Sequence, residues 1–178
     1  RIVTYSENPQ ADVRLTDLRN EGGRQTFTVL FRDRDGNTVH TITDLTLPFM
    51  GKERAQWIYP IGSVLRSGAV VAFGSDWSVS SANPLEEIEV AITRMGPAGE
   101  TKTPFLPTER IDLPEAIAAF TINAAYVNRD EKDTGSIEVG KLADLAILDH
   151  NLFEIPASEI SDAKVVATLF EGKVVYGD

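Results

Sequence analysis

The apolar positions change period along the chain. "RIVTY" and "TFTVLF" (residues 26–31) are rich in β-branched and aromatic side chains, the composition that suits a pleated, half-buried surface. In "RDRDGNTVHTIT" the pair Asp35-Gly36 is a two-residue turn signal, which predicts a hairpin with strands near 26–32 and 38–43. "SENPQ" and "NEGG" have turn compositions. From Gly51 the spacing becomes helical: Ala55, Ile58, Tyr59, Ile61, Gly62, Val64 and Leu65 give one apolar side, with Pro60 placed to kink or split the segment and Gly68 to stop it. "AVVAF" (residues 69–73) is apolar without alternation, which predicts a short strand covered on both faces.

"GSDWSVSSANP" follows, where Asn83 is a good N-cap with Pro84 at the first helical position. Leu85, Ile88, Val90, Ala91 and Ile92 then fall largely on one side of a helix that Gly96, Pro97 and Gly99 end. A proline-interrupted loop leads to a second capped helix over residues 112–128, with Asp112 at the cap and Pro114 and Glu115 in its first turn. "GSIEVGKLADLAILD" and "KVVATLFEGKVVYGD" are short β-rich segments, the second closed into a hairpin at Glu171-Gly172. The order predicts an α/β fold with a β-rich module at each terminus: residues 1–43 β-rich, 44–130 α/β, 131–178 β-rich.

Composition narrows the function classes. With 17 Lys and Arg against 27 Asp and Glu, the net charge of -10 argues against nucleic-acid and anionic-membrane partners. The absence of cysteine removes disulfides, thiolate zinc sites and cysteine nucleophiles. Only His40 and His150 are present, too few for a metal site built on several imidazoles. No apolar run approaches the ~20 residues of a membrane span and no signal segment opens the chain, so a cytoplasmic location is the expectation. The chain starts at Arg1 with methionine only at positions 50 and 95, the expectation for a processed, trimmed or partial chain.

Asp76 is the most suggestive position. In parallel α/β folds, functional side chains sit just beyond the carboxyl ends of strands, and Gly74 and Ser75 permit a sharp exit from "AVVAF". A carboxylate there can ligate a metal, serve as base to a bound water, or cap a turn by accepting backbone N–H groups. Trp77 could line a substrate pocket or pack in the core. Ser78, Ser80 and Ser81 lack a G-x-S-x-G elbow and suit turns and caps better than nucleophilic catalysis. His40 and His150 lack partners at H-x-H or H-E-x-x-H spacing and read as surface or hairpin residues. Tyr59, Asn123 and Tyr126 are pocket groups if their helices line a cleft and core residues otherwise, and "RDEKD" (residues 129–133) reads as a solvated helix end.

Residues 42–178 resemble the carboxyl-terminal part of metal-dependent amidohydrolases, and most closely the amidohydrolase-3 branch that includes N-substituted formamide deformylases. The resemblance rests on "DLTLPFMGKERAQWIYPIGSVLRSGAVVAFGSD", on "GSDWSVSSANPLEEIEVAITR" and on G-x-I-x-x-G-K-x-A-D-L-x-x-L-D at residues 135–149. It implies the end of a (β/α)8 barrel, its last strand and flanking helices, with a small β-sandwich formed by both chain termini. "RIVTYSENPQADVR" is similar to the family's opening strand, whereas residues 15–41 match no part of the family pattern. The resemblance implies that Asp76 ends the last barrel strand, where the family's aspartate binds the divalent metal, usually zinc, or handles the proton of the hydrolytic water. Position 78 is serine where relatives usually have proline, and the family's H-x-H motif and later histidines are absent.

A whole barrel takes roughly 250 residues, so the expectation is part of a metal-dependent hydrolase of amide or other non-peptide C–N bonds, inactive as this chain alone. The alternative is a truncated, non-catalytic relic or oligomerisation module. No metal is expected on this chain by itself, and a homo-oligomer or membership in a longer polypeptide is expected, because barrel fragments expose strand edges. The small-molecule substrate depends on loops outside this sequence.

Overall fold

The computed structural model describes residues 5–6, 13–21, 24–31, 47–78, 81–97, 101 and 103–177. They fall into two compact units, Arg1–Gly51 with Asp76–Ala82, and Lys52–Ser75 with Asn83–Asp178.

In the first unit, β1 (Tyr5–Ser6) lies parallel to β2 (Val13–Glu21), and β2 is antiparallel to β3 (Arg24–Phe31). The β2–β3 ladder runs from Val13↔Phe31 to Glu21↔Arg24, with a register shift between Thr16 and Arg19. The last pair of the ladder, Glu21↔Arg24, falls within the "NEGG" composition and its next residue in sequence. The strand expected at 26–32 is present as β3, and the one expected at 38–43 lies outside the described residues. The short helix α1 (Leu47–Met50) ends this stretch.

The second unit opens with α2 (Lys52–Ala55) and α3 (Ile61–Arg66), the two pieces into which Pro60 was expected to divide one helical segment. Gly68, at φ +84°, closes α3 as its N–H bonds to the Leu65 carbonyl. Helix α4 (Pro84–Thr93) starts as anticipated: the Asn83 side chain accepts the Leu85 N–H at 3.1 Å, with Pro84 behind the cap. Its end differs, since Arg94 itself takes the left-handed conformation at φ 58° before Gly96 is reached. Arg94 pays back part of that strain through reciprocal bonds with Phe105, whose N–H reaches the Arg94 carbonyl and whose carbonyl accepts Arg94 Nε.

Helix α5 (Leu113–Phe120) carries a complete capping box between Asp112 and Glu115. The single helix expected over 112–128 is broken at Thr121 (φ -120°, ψ -96°) and resumes as α6 (Ile122–Asn128). The Thr121 hydroxyl donates to the Ile117 carbonyl at 2.7 Å, the local competition with the helix ladder for which threonine is prone. Beyond it, β4 (Leu145–Leu148), β5 (Val165–Phe170) and β6 (Lys173–Tyr176) form an antiparallel sheet in sequence order. Glu171 (φ 49°) and Gly172 (φ 76°) make the tight turn between β5 and β6 as the sequence indicated, with positive φ at both central positions.

A core gathers Leu85, Ile88 and Ala91 of α4, Ile111, Ala116 of α5, and Leu152, Ile160 and Ala163 from the segment before β5. Ile160, only 1% exposed, is held by a 3₁₀ turn over Ala157–Asp162 that lies against α4. Glu89, buried on the same helix, accepts the Ser161 N–H at 2.9 Å, so the polar group on the core face is paired. Together the described residues form a mixed α and β structure, with an antiparallel three-stranded sheet in the second unit.

Candidate functional site

The approach to Asp76 is built by segment 69–75. The sequence predicts a buried strand there, and the structure corrects this: the segment has no ladder partner among the described residues, and Val70 is 56% exposed. A two-sided strand needs neighbours on both edges, which composition cannot supply. Instead, helices hold the segment. The Phe73 N–H bonds to the Ala119 carbonyl at 2.9 Å, and the Asn123 amide donates to the Val71 carbonyl at 2.9 Å. The Phe73 ring meets Phe120 edge to face, with centroids 5.4 Å apart. Asn123 is thus a backbone clamp on this segment, a role that its sequence position did not reveal.

Asp76 follows at φ 51°, a left-handed conformation that aspartate tolerates better than most residues, and it is exposed. Trp77 is 71% exposed, so the core alternative for it is overturned within the described structure. Ser78 is exposed and Ser81 partly buried, while Ser80 lies outside the described residues, as does His40. Tyr59 and Tyr126 are also half-exposed rather than core residues, at 49% and 56%. His150 stands in the second unit and pairs with its neighbour, Nδ1 to Asp149 Oδ1 at 2.8 Å. Asp149 also accepts the Lys164 N–H at 2.7 Å, and these bonds, the backbone one first, hold its carboxyl below the usual carboxylate range. It lines an open cleft of about 830 Å³ with Asn83, Ser161, Asp162, Lys164 and Tyr176.

Two clusters missed by the pattern reading hold the helices and loops in place. Glu109, 7% exposed, accepts the Ser63 N–H at 2.6 Å and the Ser63 hydroxyl at 2.7 Å, with Arg66 at 3.6 Å. The Ser63 hydroxyl bond leads the effects that lower the Glu109 pKa, against the desolvation that raises it. Gly62 permits this approach, because a Cβ there would stand 3.0 Å from the Glu109 backbone. Lys141 of the 135–149 motif directs its ammonium at the Glu131 carbonyl (2.6 Å), the Ser136 hydroxyl (2.5 Å) and the Glu138 carboxylate (3.3 Å). Gly135 of the same motif, at φ +84°, passes so close to α6 that a Cβ would stand 2.7 Å from Ala125 Cβ. The only forewarning of either cluster was the glycine and lysine spacing of that motif.

The metal implied by the resemblance needs a set of converging donors. Among the described residues no three His, Cys, Asp or Glu side chains come together in such a group. Asp76 offers one carboxylate, so these residues do not by themselves fit a catalytic metal. Among them, too, no helix is long and apolar enough to cross a membrane.

Comparison with known proteins then supplies what the geometry alone does not. The model of the family described as "Amidohydrolase family" matches residues 23–176. The chain belongs to the amidohydrolase family. This member is 38% identical over 128 residues to Protein LONG AFTER FAR-RED 3 of Arabidopsis thaliana, covering 71% of the chain and 21% of that protein. It is also 62% identical over 55 residues to a UDP-N-acetylmuramate--L-alanine ligase of Rhodopseudomonas palustris (strain BisA53), covering 31% of the chain and 12% of the ligase. A ligase of the same name from Xanthobacter autotrophicus is 56% identical over 55 residues, again 31% of the chain and 12% of the ligase. This amidohydrolase-family chain thus spans about a fifth or less of these relatives. No solved structure matches it.

Proposed function

We propose that this chain is the carboxyl-terminal part of a metal-dependent hydrolase of amide or other non-peptide C–N bonds, and that it is inactive by itself. The family match over residues 23–176 is the observation that carries this reading. In it, segment 69–75 takes the place of the last barrel strand and Asp76 the place of the aspartate that binds the metal or takes the proton of the attacking water. Strands β4–β6 take the place of sandwich strands. The other metal ligands come from sequence outside these 178 residues. The exposed setting of Asp76 and Trp77 suits a loop that completes its surroundings with further protein.

The experiment is a pair of measurements. The 178-residue chain, supplied with zinc and assayed on N-formyl and N-acyl amines, is expected to show no turnover and to retain less than one metal per chain by elemental analysis. Hydrolysis together with about one metal per chain would overturn the inactivity. In a longer natural protein that contains this sequence, Asp76→Asn is expected to lower kcat by about 100-fold or more, the scale of a lost proton-transfer group. An unchanged rate in a folded variant would remove Asp76 from the site. A natural intact mass equal to that of these 178 residues would favour the non-catalytic relic instead.

A further inference from the structure

We infer that the chain joins two modules of different descent at about residue 51, a ligase-type module before it and an amidohydrolase-type module after it. Three observations meet at that position. The match to LONG AFTER FAR-RED 3 takes 71% of the chain and the match to the ligases 31%, so the two can tile the whole chain with almost no overlap. If they lay on the same residues, one segment would have to resemble two differently named proteins at 38% and 62% identity, while a stretch of about 50 residues matched neither. The amidohydrolase motif at residues 135–149 occupies the carboxyl-terminal side, which leaves the amino-terminal side for the 55-residue ligase match. One boundary between the compact units independently falls between Gly51 and Lys52, with Asp76–Ala82 the one later stretch grouped with the first unit.

This placement also accounts for residues 15–22, which precede the family match although β2 runs through them and pairs with β3, with a register shift between Thr16 and Arg19. The family match does reach back to residue 23, across β3. "TFTVLF" supplies only a generic strand pattern, which strands of unrelated folds share. The consequence for the fold is specific. Residues 1–14 are then part of the ligase-type module and not the opening strand of an amidohydrolase sandwich, and β1 pairs accordingly with β2. A module with 12% of a ligase carries no complete ligase site, so its role here is as a folding unit.

The test is limited proteolysis of the intact chain followed by hydrogen exchange read by mass spectrometry. Trypsin is expected to cut first at Lys52 or Arg54, between the modules. The product that retains residue 178 is expected to keep amide protection in α4, α5 and β4–β6. Amides 76–78, 81 and 82, grouped with the first unit, are expected to lose protection after the cut. Loss of protection in α4 and α5 on cleavage would overturn the proposal. So would resistance at Lys52 and Arg54 under conditions that cut elsewhere, or unchanged exchange of residues 76–78, 81 and 82.

Discussion

Glu109 shows how a side chain with no motif around it can organise a region. Its carboxylate joins the turn over Pro107–Glu109 to the first turn of α3 through both Ser63 donors. Glu109→Ala removes the acceptor of two part-buried bonds from Ser63, and a loss of about 0.5–1.5 kcal/mol is expected from urea unfolding. The pH dependence has a definite sign. The folded carboxyl lies below its ordinary value, so its contribution is present above that value and is lost as pH falls through the folded one. Between pH 6 and pH 3 the urea midpoint of the native chain should fall more than that of Glu109→Gln; equal slopes would show that Glu109 does not contribute. Asp76 is the contrasting case, because its candidate role rests on position along the chain and on family membership, not on surroundings in the described structure.

At the scale of elements, the local signals were legible where they are self-contained. Asn83-Pro84, the Asp112–Glu115 box, the break at Pro60 and the Glu171-Gly172 turn each act within a few residues, and each appears where the sequence places it. Asp112→Ala removes one side of the box and is expected to cost about 1 kcal/mol in thermal or urea unfolding. The failures involve partners distant in sequence. "AVVAF" has strand composition, yet its amide and carbonyl groups at Phe73 and Val71 go to Ala119 and Asn123. The break of helix 112–128 at Thr121 is a local exception, with the Thr121 hydroxyl bonded to the Ile117 carbonyl four residues back. Ile160 sits in a 3₁₀ turn with no periodicity to announce it, and Ile160→Ala should cost about 2–5 kcal/mol, the range for a buried large-to-small change. A smaller loss would mean that the α4 contact can collapse around the gap.

At the scale of the molecule, the sheet β4–β5–β6 carries apolar side chains that the described residues leave accessible. Ile147 is 48% exposed, Val166 47%, Phe170 57%, Val174 56%, Val175 61% and Tyr176 59%. Clusters of exposed large apolar side chains mark surfaces that associate. Light scattering at micromolar concentration is expected to give a dimer or larger particle, and Val174→Lys combined with Tyr176→Lys is expected to shift it toward monomer. A monomeric native chain would end that expectation. The charge of -10 opposes association without preventing it at moderate salt, so the particle should grow as salt screens the repulsion.

The sequence by itself determined the N-caps at Asn83 and Asp112, the stop at Gly68, the tight β5–β6 turn and the amidohydrolase motif, because each depends on groups a few residues apart. It also placed Asp76 just after an apolar segment, where a family resemblance could find it. Only the tertiary structure decided what receives the hydrogen bonds of that segment, which carboxylate fixes α3, and that Lys141 and Gly135 of the motif serve packing and loop closure. Those outcomes depend on which distant residues arrive at each donor and acceptor. A buried polar group must be paired, and periodicity along the chain does not name its partner.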